Sequence, residues 1–256
     1  MEGHYIGIQG HAVYYETAGA GNGENVLLIH TAGTDSRIWH QVAAKLSESF
    51  SVIIIDLPGH GKSSPWDNWR RIRPSVEYYS SVVTEFILQL DLSELTVVGC
   101  SLGADVALDL ATSNGSQIKK IIALEGAGKT RTFNESDILN VDQYDLARTF
   151  NFCGRKATKE NMEKLFWIRT SNNRDIYVGD LLAWNQFDRR EQLRRSNIPV
   201  ALVRGSDDPI VTREMLEETL SLNSLFRMAE IEGLGHYPMI EDPDLLTKKI
   251  RPMVHE

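Results

Sequence analysis

A serine set among small residues, a histidine in a glycine-rich loop and two aspartates in a turn are the side chains here best suited to act together. The serine is Ser101, in Gly99-Cys100-Ser101-Leu102-Gly103. The apolar run Leu95–Val98 precedes it, and a helical pattern starts at Leu102. A strand that turns sharply into a helix holds its serine in a strained conformation, and small flanking residues leave room for nearby backbone. The hydroxyl is then lifted above the sheet, over a helix N-terminus that favours a developing oxyanion.

A serine hydroxyl is a weak nucleophile at neutral pH and needs a base within hydrogen-bond reach. Of the seven histidines, His236 stands out, in Gly233-Leu234-Gly235-His236-Tyr237-Pro238 after the strand-like Leu225–Ile231. A lone histidine is more often structural, but a glycine-flanked loop after the last strand suits a base. The imidazole in turn needs a carboxylate to fix its tautomer and stabilise its cation. Gly205-Ser206-Asp207-Asp208-Pro209 offers Asp207 and Asp208, although aspartate also favours turns for its own sake. The chain order is serine, acid, histidine. Together these groups predict acyl transfer.

Such a set works only if a scaffold gathers it. Val26–His30, Val52–Asp56, Leu95–Gly99, Ile121–Leu124 and Val200–Arg204 are short, continuous apolar runs. Runs of that kind suit strands covered on both faces of a parallel sheet. Helical patterns at Arg37–Ser49, Ser75–Leu90 and Leu102–Thr112 alternate with them, which predicts a doubly wound α/β sheet. Tyr5–Gln9 and Ala12–Glu16 flank Gly10-His11 and predict an antiparallel hairpin at one edge. From about Gly126 to Asn197 no strand is evident, and helices are expected at Asn161–Arg169 and Gly179–Arg195. The expected organisation is a core of residues 1–125 and 198–256 with a helical lid of residues 126–197.

With these motifs in order, the chain resembles the α/β-hydrolase superfamily over nearly its whole length. Asp56 to Ser63 resembles that family's D-x-x-G-x-G-x-S loop, Gly99 to Gly103 its nucleophile elbow, Gly205 to Asp208 its G-x-x-D turn, and Gly235-His236 its histidine loop. The resemblance implies a mostly parallel sheet of about eight strands with a helical cap. It also implies Ser101, Asp208 and His236 as the triad, and backbone N–H groups of Ala32 and Leu102 as the oxyanion hole. Where the family has His-Gly after the third strand, this chain has His30-Thr31. Some members, zearalenone lactonases among them, carry the acid at the preceding strand end, which makes Glu125 the alternative acid. The family's haloalkane dehalogenases and epoxide hydrolases need an aspartate at the elbow, so Ser101 excludes their chemistry.

The formal net charge of -8 argues against nucleic-acid or membrane partners. Two cysteines, Cys100 and Cys153, make neither a disulfide framework nor a zinc site. No signal segment or membrane span is evident, so a cytoplasmic monomer or homodimer is expected, acting on a small molecule without metal or cofactor. Nine aromatic residues of the lid, from Phe133 to Phe187, suit a small apolar or aromatic carboxylic ester or lactone, or else simply pack the lid. Trp66, Trp167, Trp184 and Cys100 are the expected substrate contacts. Two other functions fit the same motifs: a C–C bond hydrolase of diketone-like ring-cleavage products, and a hydrolase-fold binding protein without turnover.

Overall fold

The computed structural model describes residues 1–113 and 117–255. Eight strands form one sheet: β1 (Glu2–Ile8), β2 (His11–Ala18), β3 (Asn25–Ile29), β4 (Ser51–Ile55), β5 (Leu95–Cys100), β6 (Ile118–Leu124), β7 (Val200–Gly205) and β8 (Phe226–Ile231). Their order across the sheet is β1-β2-β4-β3-β5-β6-β7-β8. Strand β2 runs antiparallel to both its neighbours, and the remaining pairs are parallel. The expected edge hairpin is present. Its two turn residues, Gln9 and Gly10, both have positive φ, the geometry that matches the twist of paired strands.

The continuous apolar runs are explained by two separate cores. Leu27, Ile29 and Val97 join α2 (Val76–Gln89) and α3 (Leu102–Leu110) on one face. Val26, Leu28 and Val98 join the other core with α1 (His40–Leu46), which follows a 3-10 turn at Ser36–Trp39. Successive residues of one strand therefore bury in opposite directions, and none has a solvent face to serve.

Between β6 and β7 come α4 (Glu135–Leu139), α5 (Leu146–Asn151), α6 (Lys159–Thr170), α7 (Arg174–Gln186) and α8 (Arg190–Leu193). The helix expected over Gly179–Arg195 is corrected at both ends. Asn173 caps α7 at the Asp175 N–H, so that helix starts earlier. The buried Phe187 is extended and breaks it, after which Asp188 accepts from the Arg190 N–H and α8 begins. Helix α9 (Arg213–Leu220) precedes β8, and α10 (Pro238–Glu241) and α11 (Pro243–His255) end the chain. No helix among the described residues is long and apolar enough to cross a membrane.

Register brings the strand ends together. Ile29 pairs with Gly99, Cys100 with Leu124, Leu124 with Val203, and Gly205 with Ile231. Loops leaving β3, β5, β6, β7 and β8 therefore open at one rim of the sheet.

Candidate active site

Ser101 sits between β5 and α3 at φ 53° and ψ -118°, a left-handed φ that an L-residue adopts only under constraint. The constraint is visible. The Ser101 N–H donates to the Leu124 carbonyl at 2.9 Å, while its own carbonyl accepts from Ala104 and Asp105. A Cβ on Gly99 would overlap the Gly103 carbonyl, and one on Gly103 the carbonyls of Ile29 and His30. Glycine is required at both positions by close backbone approach. Cys100 lies beneath the turn, fully buried, with its thiol donating to the His236 carbonyl at 3.6 Å.

His236 Nε2 lies 3.0 Å from Ser101 Oγ, and Nδ1 lies 2.9 Å from Asp208 Oδ2. The other Asp208 oxygen accepts from the Ile210 N–H at 2.7 Å. Burial alone would raise the Asp208 carboxyl, but the charge and hydrogen bond of His236, with the Ile210 N–H, hold it down at about 2. Asp207 instead pairs with the exposed Arg155. Ser101, His236 and Asp208 are all nearly closed to solvent.

Glu125, the alternative acid, is not bonded to His236. It is buried at the end of β6 with positive φ, and its Oε1 accepts from the Gly205 N–H at 2.6 Å. Burial foremost, then the Asp208 charge beside it, push its pKa well above the usual carboxylate range, which favours its protonated form. This has a consequence for stability. An unfolded chain releases the Glu125 proton near its ordinary pKa of about 4.3. The folded chain keeps that proton until its raised pKa is passed, so the stabilisation is complete at acid pH and lost as pH rises. Glu125→Gln is therefore expected to gain in Tm over wild type progressively between pH 4 and 8, about 4 being the start of the window. Thermal melts across that range check it, and a constant difference would contradict it.

The loop after β3 lies across the cleft from the elbow, with Thr31 and Ala32 in its lining. Thr31 carries no positive φ; the left-handed residue is Gly33, at φ 62°. Thr31 thus sits at the family's glycine position without needing a left-handed φ, and the Thr31 and Thr34 hydroxyls bond each other at 3.1 Å. The Ala32 N–H makes no protein hydrogen bond among the described residues, and Ala32 lines the cleft with Ser101. Leu102 opens α3, so its N–H is one of the unpaired donors of that helix's first turn.

A second buried cluster holds this loop. Asp180 of α7 accepts from the Gly33 N–H at 2.9 Å, from His60 Nε2 at 2.7 Å and from the Tyr79 hydroxyl at 2.7 Å. His60 Nδ1 faces the Pro58 carbonyl at 3.1 Å, so both ring nitrogens meet acceptors, which only the protonated ring satisfies. Burial disfavours that cation, but Asp180 outweighs it and the His60 pKa is raised. His30, with its ring centroid 4.7 Å away, is kept neutral: burial and then the His60 charge lower it to about 3. Sequence reasoning did not anticipate Asp180. The signal was present, because Ile176, Tyr177, Asp180, Ala183 and Trp184 share one buried helical stripe, and a carboxylate on such a stripe needs a partner.

The cleft above Ser101 encloses about 820 Å³, part of it open to solvent. Phe133, Ile138, Phe152, Tyr177, Leu181, Trp184, Ile210 and Tyr237 make its walls mostly apolar. Trp184 is there as expected, but three other expected contacts are not. Trp66 is packed against Tyr78 and Tyr79 and donates to the Ile72 carbonyl. Trp167 lies 69% exposed on α6, and Cys100 is sealed below the elbow.

The sheet order, the strand-to-helix turn at Ser101 and the helical insertion before β7 define an α/β-hydrolase fold. The chain belongs to the alpha/beta hydrolase family, which it matches over residues 26–248. It is 25% identical to a pimeloyl-[acyl-carrier protein] methyl ester esterase of Pectobacterium atrosepticum, over 93% of this chain and 97% of that one. It is equally 25% identical to 3-oxoadipate enol-lactonase 2 of Acinetobacter baylyi, over 95% and 93%. An uncharacterised protein of Mycobacterium tuberculosis is 36% identical over 115 residues, 45% of this chain, so the match spans about a third (33%) of that relative's length. Among solved structures, an esterase of Exiguobacterium antarcticum superposes with a TM-score of 0.86 at 19% identity, covering 100% of both chains.

Proposed function

We propose that the chain is a serine hydrolase of small carboxylic esters or lactones, with Ser101 as nucleophile, His236 as base and Asp208 as the acid that orients it. The reading rests above all on the His236 imidazole, within hydrogen-bond distance of the elbow hydroxyl on one side and a carboxylate on the other. His236 Nε2 takes the Ser101 proton as Oγ bonds to the substrate carbonyl carbon. The carbonyl oxygen becomes an oxyanion facing the N–H groups of Ala32 and Leu102. Collapse breaks the bond to the leaving oxygen, which receives the proton from His236. Water then repeats the sequence on the acyl-enzyme, freeing a carboxylic acid and restoring Ser101. The relatives named above as an ester hydrolase and a lactonase support the same bond types.

A panel of short-chain 4-nitrophenyl esters and small lactones tests the reading. Wild type is expected to turn over members of the panel, with an early burst of nitrophenol marking the acyl-enzyme. Asp208→Asn is expected to lower kcat by about 10⁴-fold, the scale for losing the correct imidazole tautomer. Glu125→Gln is expected to stay active. The reverse ranking would move the acid to Glu125, and turnover of diketones alone would favour the C–C hydrolase.

A further inference from the structure

We propose that the cleft selects substrates carrying a carboxylate at the end remote from the scissile carbonyl, and that Arg148, assisted by Arg131, binds it. This rests on the hydrolase reading and adds the substrate class. The chain as a whole is acidic, with 35 acidic side chains against 27 basic ones. The cleft reverses that balance: Arg131 and Arg148 line it, and Asp137 is the one acidic side chain of its lining.

Neither arginine is neutralised by the protein. Among the described residues no ion pair joins Arg131, Arg148 or Asp137 to any partner. Arg148 Nε is buried without a hydrogen-bond partner, and its guanidinium lies over the Phe152 ring at 5.7 Å. Phe152 in turn lies 6.4 Å from the His236 ring, so the cation stands one aromatic side chain away from the base. Arg131 donates to the Pro209 carbonyl at 2.6 Å and covers the Phe133 ring at 4.9 Å. Behind the wall a third guanidinium, Arg169, is 2% exposed and, among the described residues, bonded only to the hydroxyls of Thr149 and Tyr177 and to no carboxylate.

A buried or half-buried guanidinium without an anion is an unfavourable arrangement for a folded chain to keep. Guanidinium N–H groups bind carboxylates in two parallel charge-assisted hydrogen bonds, which an apolar chain end cannot replace. The apolar walls take the body of the substrate and Arg148 takes its charged end.

Mono(4-nitrophenyl) esters of straight-chain dicarboxylic acids, from glutarate to suberate, should be compared with the same compounds capped as distal methyl esters, near neutral pH. At the best chain length the free acid is expected to exceed its capped counterpart in kcat/KM by about tenfold or more, the scale of a charge-assisted hydrogen bond. Arg148→Gln is expected to bring that ratio close to one, Arg148→Lys to leave an intermediate value, and added salt to lower it in wild type. If Arg148→Gln does not fold, Arg131→Gln and the salt series read the same ratio. Equal or faster turnover of every capped ester, or a ratio untouched by both glutamine variants, would overturn the proposal alone. Turnover of neither series, with no phosphonate adduct at Ser101, would overturn the hydrolase reading beneath it.

Discussion

Ser101→Ala is expected to lower kcat for a 4-nitrophenyl ester by about 10⁵–10⁶-fold while the protein keeps its fold. On the proposed mechanism the loss is large because Ser101, His236 and Asp208 act as a unit. Without Oγ, His236 has no proton to accept, and the N–H groups of Ala32 and Leu102 stabilise only direct attack by water, which leaves roughly 10³-fold catalysis. For the same reason Ser101→Ala/His236→Ala is expected to be no worse than Ser101→Ala. Alanine adopts φ 53° about as poorly as serine, and among the described residues the hydroxyl bonds only His236, so folding is little affected. Steady-state rates with circular dichroism on the same samples check both points. A loss of less than tenfold would show that the cleavage measured does not use this hydroxyl.

Asp180→Ala is expected to have the largest effect of any substitution outside the triad. His60 and Asp180 are fully closed to solvent, and removing the carboxylate leaves the imidazolium unpaired and the Tyr79 hydroxyl and Gly33 N–H without acceptors. Breaking such a buried pair costs about 3–5 kcal/mol. For a chain of this size that is roughly a 6–20 °C drop in Tm. A second effect follows from position. Gly33 adjoins Ala32, so α7 holds the loop that carries the proposed oxyanion donor. Releasing it is expected to lower kcat by about 10²-fold, the scale for misplacing a catalytic group by an ångström. KM is expected to change much less, because Asp180 is not in the cleft wall. Asp180→Asn keeps an acceptor for Tyr79 but not the charge that His60 requires, and is expected to fall between. Rates measured well below each variant's Tm separate the two effects, and an unchanged kcat there would contradict the link between cap and loop.

The parts of the site that were legible in the sequence are those written in local spacing. The elbow shows itself because close backbone approach demands Gly99 and Gly103 on either side of one serine. The turn after β7 offered both Asp207 and Asp208, and only the spacing of the family's G-x-x-D motif singled out Asp208. The strands were legible because residues buried on both faces leave an unbroken apolar run. Contacts across long separations were not legible. Asp180 meets Gly33 across 147 residues and His60 across 120, and the buried stripe of α7 says that this carboxylate needs a partner but not which one. The aromatic side chains failed as guides for a related reason: composition does not say which way a ring points. Trp184 entered the cleft, while Trp66 packed behind the loop after β4 and Trp167 faced water. Thr31 shows the opposite case: it departs from the family's glycine yet needs no positive φ, and the left-handed residue of that loop is Gly33.

Exposure to a fluorophosphonate, followed by intact mass and peptide mapping, asks directly whether His236 and Asp208 make Ser101 a nucleophile. A single adduct is expected on the peptide containing Ser101, abolished by Ser101→Ala and strongly slowed by His236→Ala. Labelling at another residue, or at Ser101 with a rate indifferent to His236, would contradict the account.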